Sequence, residues 1–152
     1  MPHGAAYRAR SADEVIRPRA ALTAIAVGLL LAACSGGASE TVTTVAVTLT
    51  DKAVALDATA VPAGAVTFKV RNGGTIVHSL VLLKTDVPHD QIPADPNDAA
   101  RVQQTGILRE TGQLAVGETK QFAVRLAVGS YVLICNEPAH YLVGMHTPLT
   151  VR

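Results

Sequence analysis

Tryptophan is absent from this chain of 152 residues, and Phe and Tyr together number only five, so a core must be built mainly from Val, Leu, Ile and Ala. Apolar residues still make up 49% and charged ones 16%, a balance that excludes a disordered chain. Long hydrophobic runs are missing. The longest, Ala20 to Leu31, contains one polar residue, Thr23, and is well short of the ~20 residues that cross a bilayer, which excludes a multi-pass membrane protein. Basic charge is not in excess. The net charge is +1, but four of the basic and two of the acidic residues precede or open the apolar run, leaving nine basic against ten acidic from residue 34 onward. No basic stripe remains to neutralise phosphates, so nucleic acid is not an expected partner. A phosphate-cradling glycine turn between strand and helix is also lacking, since Gly64, Gly73 and Gly74 fall between predicted strands.

The amino-terminal segment reads as an address. Arg17-Pro18-Arg19 precedes the short apolar run, the order that a secretory signal requires. Leu31-Ala32-Ala33-Cys34-Ser35-Gly36-Gly37 follows at once and resembles a bacterial lipobox. The resemblance implies a signal peptide over residues 1–33, a lipid on Cys34, and a protein exported and held at the outer face of a bacterial membrane or in the periplasm. Several acyl chains on one residue anchor stably where a single chain binds only marginally. An ordinary cleaved signal with Cys34 unlipidated is the alternative, and it too exports the chain. Residues 34–40 are small and polar, as befits a flexible tether, so a single folded domain is expected over residues 41–152.

That domain reads as strands. Val42 to Thr50 alternates, with Val45, Val47 and Leu49 on one face. Val61-Pro62-Ala63-Gly64 turns into a strand with Val66, Phe68 and Val70 inward, closed by Asn72-Gly73-Gly74, residues that tolerate positive φ. Ile76 to Leu83 predicts another strand, Lys120 to Leu126 one with Phe122, Val124 and Leu126 inward, Tyr131 to Ile134 a further one, and Pro148 to Val151 the last. Pro88, Pro93 and Pro96 with Asp90, Asp95 and Asp98 predict an irregular connection or a brief helix near Asp98 to Gln103. Seven or eight short strands without a long helix indicate an all-β antiparallel sandwich or barrel.

The chemistry gathers after the Tyr131 strand. Cys135, His140 and Met145 place a thiol, an imidazole and a thioether at five-residue spacing, in a loop that leaves one strand and rejoins another. Thiolate and thioether are soft ligands and imidazole is intermediate, a mixture that suits copper. A trigonal two-histidine, one-cysteine site needs one more imidazole, and His78, after the Gly73-Gly74 turn, supplies it. Asn72 to His78 together with Cys135-x4-His140-x4-Met145 resembles the ligand set of the cupredoxins, the blue-copper family of plastocyanin and azurin, over about Val42 to Val151. The resemblance implies a Greek-key β-sandwich with one type 1 copper held by His78, Cys135, His140 and, weakly, Met145. Two residues depart from the family pattern: Ala139 stands where relatives often have Gly, and Ser79 where many have Asn.

Four protein donors leave no open position for a substrate, so an electron carrier rather than an enzyme is expected. Ser79 and Asn136 are the expected hydrogen-bond donors around the sulfur. Pro138, Ala139, Tyr141, Leu142 and Val143 would surround His140 with an apolar patch where redox partners dock on a monomer. His146 is expected to turn away from Met145, His89 to be solvated, and Glu137 to be a charged loop residue. Rival readings are a copper carrier or store delivering metal to an oxidase, a module of a larger oxidase, and a metal-free binding module on the same scaffold. The chain has only two Met including Met1, which disfavours a Met-rich carrier.

Overall fold

The computed structural model describes residues 41–152, so the predicted signal peptide, Cys34 and the tether lie outside the described residues. Strands β1 (Thr43–Thr50), β2 (Ala53–Leu56), β3 (Ala60–Val61), β4 (Gly64–Asn72), β5 (His78–Lys84), β6 (Ala94–Asp95), β7 (Asp98–Val102), β8 (Ile107–Leu114), β9 (Thr119–Leu126), β10 (Gly129–Ile134) and β11 (His146–Val151) are joined by turns and one 3₁₀ turn, Tyr141–Val143. One sheet has the order β2-β1-β4-β9 and the other β3-β11-β10-β5-β8, while β6 and β7 form a separate ribbon. Strand pairing is mixed rather than wholly antiparallel, because β1 runs parallel to β4 and β3 parallel to β11. A parallel pair needs a long crossover, and the chain through β2 and β3 provides it between β1 and β4.

The alternating residues meet between the sheets. Val45, Val47 and Leu49 of β1 and Val66, Phe68 and Val70 of β4 pack with Leu80, Leu82, Tyr131, Leu133, Leu149 and Val151 of the second sheet, all buried. Phe68 lies opposite Phe122 of β9, with ring centroids 5.2 Å apart. Phe122 and Val124 are half-buried at the margin of this core.

Where an irregular connection or a brief helix near Asp98 to Gln103 was expected, the chain forms the short strands β6 and β7. Their ribbon and the preceding chain cover the outer face of the second sheet, where Ile92, Val102 and Tyr141 bury Val81, Leu83, Val132 and Ile134. The second sheet is therefore covered on both sides there, which is why β5 and β10 read as continuous apolar runs rather than alternating ones.

Candidate metal centre

Three donors converge at one end of the sandwich. His78 opens β5, Cys135 follows the last residue of β10, and His140 lies immediately before the 3₁₀ turn. The Nδ1 atoms of the two histidines are 3.1 Å apart, and Cys135 Sγ lies 3.4 Å from His140 Nδ1 and 3.8 Å from His78 Nδ1. His78 and Cys135 are fully buried and His140 half-buried. Met145, also fully buried, belongs to the same apolar cluster as Cys135. Its carbonyl accepts from the Cys135 N–H at 2.9 Å and its own N–H donates to the His140 carbonyl at 3.1 Å, so the loop closes on itself. Two imidazoles and a thiol, with a thioether on the same loop, are a donor set fitted to copper.

The sequence carried no sign of the carboxylate that orients His78. Asp51 lies in the turn after β1, 27 residues away in the chain, and its Oδ1 is 3.1 Å from His78 Nε2. The parallel register, Leu49 beside Asn72, brings that turn level with the segment leading to His78. Thr75 fixes the carboxylate through its backbone N–H (2.8 Å) and hydroxyl (2.6 Å). The Thr75 hydroxyl first, then its N–H and the His78 ring, hold the Asp51 carboxyl down from 3.8 to about 2. A carboxylate on Nε2 selects the tautomer that leaves the Nδ1 lone pair free for a metal.

Asn72, expected only to close a strand, is a buried clamp. Its amide nitrogen donates to the carbonyls of Ile76 (2.8 Å) and Leu114 (3.0 Å), and its side-chain oxygen accepts from the Gly74 N–H (2.9 Å). Gly73 and Gly74 tolerate positive φ but do not adopt it here. Gly74 is required by space, because a Cβ there would come within 2.6 Å of His78 Nε2 and collide with Asp51. The departure at Ala139 has a backbone consequence: it is the one non-glycine residue with positive φ (67°) among the described residues.

Around the sulfur, the Ser79 N–H points at Cys135 Sγ at 3.4 Å. Burial pushes the Cys135 thiol up, opposed by hydrogen bonds from Ser79 and the Glu137 backbone. Burial, then the neighbouring His78, pulls His140 down. Asn136, expected as a donor to the sulfur, directs its amide elsewhere: it donates to the Val102 carbonyl and accepts from the Val102 N–H, both at 3.0 Å. Arg101 donates to the Asn136 carbonyl, and the Ala139 N–H donates to the Ala100 carbonyl at 2.7 Å. Strand β7 thus braces the whole ligand loop. Glu137 lies 3.9 Å from Arg101 and accepts from Gln113 at 3.3 Å, a structural anchor for the same loop.

The patch differs in membership from its expectation. Pro138, Ala139, Leu142 and Val143 are exposed, but Tyr141 is buried under the β5–β6 connection, and Ile76 and Val77, flanking His78, are exposed in its place. His146 faces away from the cluster toward His89, which is half-buried rather than solvated. A surface hollow lined by Thr85, Val87, Ile92, Pro93, Gln103 and Thr105 contains none of the cluster residues.

Solved structures share this architecture. The chain is similar to the dithionite-reduced auracyanin of the photosynthetic bacterium Roseiflexus castenholzii, at 26% identity over 72% of this chain and 97% of that one, with a TM-score of 0.54. Auracyanin B is similar at 26% identity over 75% and 91%, TM-score 0.53. Reduced rusticyanin shares the fold at 20% identity over 75% and 81%, TM-score 0.57. No family model and no curated protein sequence matches the chain.

Proposed function

We propose that this cupredoxin domain is a type 1 copper electron-transfer protein, tethered through a lipid on Cys34 to the outer face of a bacterial membrane and passing single electrons between redox partners there. The observation that carries the reading is the meeting of the His78, Cys135 and His140 donors within 4.8 Å of one another, with two of the three residues buried. In this reading His78 and His140 bind through Nδ1, Cys135 through its thiolate, and Met145 as a weak fourth donor. A bound copper supplies the one-electron couple.

The chain's own residues do the rest. Asp51 accepts the outer N–H of His78 and fixes its ring. Ser79 and the Glu137 backbone donate toward the sulfur and would stabilise its negative charge when Cys135, whose proton burial favours, gives that proton up to serve as a ligand. Full burial of His78, Cys135 and Met145 excludes water. Ligands fixed to β5, β10 and the β7 brace move little between oxidation states, which lowers the barrier to transfer. The half-buried His140, beside exposed Leu142, Val143, Ile76 and Val77, offers a small apolar docking surface suited to short-lived redox encounters of a monomer.

The purified protein with one equivalent of Cu(II) is expected to develop an intense visible thiolate-to-copper band that ascorbate bleaches and Cys135→Ala lacks. A folded protein with an available thiol and no such band would overturn the proposal.

A further inference from the structure

A second pair of imidazoles lies outside the cluster. His89 stands in the connection between β5 and β6, His146 opens β11, and their Nδ1 atoms face each other at 2.7 Å with both residues half-buried. The pair resembles that of His78 and His140, which also meet through Nδ1, at 3.1 Å, and ring centroids are 4.9 Å apart in both pairs. Its partners hold it in place. The Tyr141 ring packs 4.7 Å from that of His146, while the Tyr141 hydroxyl donates to the His89 carbonyl at 2.8 Å and accepts from the Ile92 N–H at 2.9 Å. Two neutral rings facing through Nδ1 form a hydrogen bond only as opposite tautomers, whereas a cation between them satisfies both lone pairs at once.

We propose that His89 and His146 form a second metal site, taking a borderline divalent cation such as zinc through their Nδ1 atoms. Imidazole suits zinc, nickel and Cu(II) alike. Nitrogens ~2.0–2.1 Å from zinc at a tetrahedral angle lie about 3.3 Å apart, so the rings need to part by about 0.6 Å. His89 lies in a connection outside both sheets, where such a shift is accommodated. Asp90, exposed and next to His89, places a negative charge near the pair that favours a cation there, and water can reach the remaining positions. The cation joins the β5–β6 connection to the first residue of β11, one residue from Met145.

The test loads the full-length protein with one equivalent of copper, titrates it with zinc alone by calorimetry, and measures zinc content after desalting, for wild type, His89→Ala and His146→Ala. One further equivalent of zinc is expected in the wild type. Both variants should bind it more than about 100-fold more weakly, beyond the ~10–100-fold loss on removing an outer partner of a metal site, with unchanged circular dichroism. Cu(II) displaced from the His78 cluster can fill the pair, so the zinc titration is also run on copper-free protein. There a one-equivalent difference between wild type and His89→Ala does not depend on whether that cluster takes copper, and this proposal and the function above fail separately. Equal zinc uptake by wild type and both variants, or no uptake beyond the first cluster, would overturn it and leave the pair as two imidazoles sharing one proton.

Discussion

Asp51 and Ala139 are single residues whose roles come from the chain around them. Asp51 places a negative charge on the outer edge of His78, which favours the more positive, oxidised state of a metal on the inner edge. Asp51→Asn is therefore expected to keep the visible band and raise the reduction potential in a redox titration; a lowered potential would contradict the assignment. The carboxylate also gives a signed pH dependence. Its value in the folded chain lies at about 2, below the ordinary 3.8, so its contribution to stability is full above about pH 4, declines as the pH falls, and is lost as the pH passes through about 2. Denaturation curves of wild type and Asp51→Asn should therefore converge on acidification through that window. At Ala139 the left-handed backbone costs a residue with a Cβ ~1–2 kcal/mol, while glycine raises unfolded-chain entropy by ~0.4–1 kcal/mol. Ala139→Gly should gain between about 0 and about 1.6 kcal/mol and raise Tm by a few degrees. A clear fall in Tm would mean that the Ala139 methyl makes contacts that outweigh its backbone.

Among the elements, the β6–β7 ribbon is the one whose importance was least visible beforehand. Its Pro- and Asp-rich sequence lacks the alternation that marks β1 and β4, because its pairing is short and interrupted by a register shift. Its ladder matters less than its contacts with the ligand loop, which run from Ala100 to Ala139 and from Val102 to Asn136. These side-chain bonds are buried, so Asn136→Ala would leave a buried N–H and C=O of Val102 without partners, at a cost of about 1–3 kcal/mol. Urea denaturation should register that loss. A variant as stable as wild type would show that the brace is redundant. The strands carrying Val45, Val66 and Phe68 were legible because one face of each meets the core and the other does not, a difference written in alternation. β5 and β10 were legible for the opposite reason, as apolar runs, but what covers their second face was not.

At the scale of the whole molecule, the described domain and the amino-terminal address make separate claims. If Cys34 carries lipid, the full-length protein expressed in a bacterial host will partition with membranes and be released by detergent, and Cys34→Ser will appear in the soluble exported fraction. A Cys34→Ser variant that stays membrane-bound would refute the anchor. Within the domain, the spacing Cys135-x4-His140-x4-Met145 was readable from the chain because these residues share one loop, whose length sets how closely their donors can approach. His78 was readable as the missing imidazole because its residue type and the preceding glycines agreed with that need. Asp51, the bond from Asn72 to Leu114 and the pairing of His89 with His146 left no local mark, since each joins segments that only strand register and sheet stacking bring together. The amino-acid sequence by itself determined the strand-rich architecture, through alternation, and singled out His78, Cys135, His140 and Met145 as candidate donors, through ligand chemistry and loop spacing. Only the tertiary structure decided which carboxylate orients His78, what braces the ligand loop and where the apolar patch lies, because those contacts depend on distances between segments that no local pattern encodes.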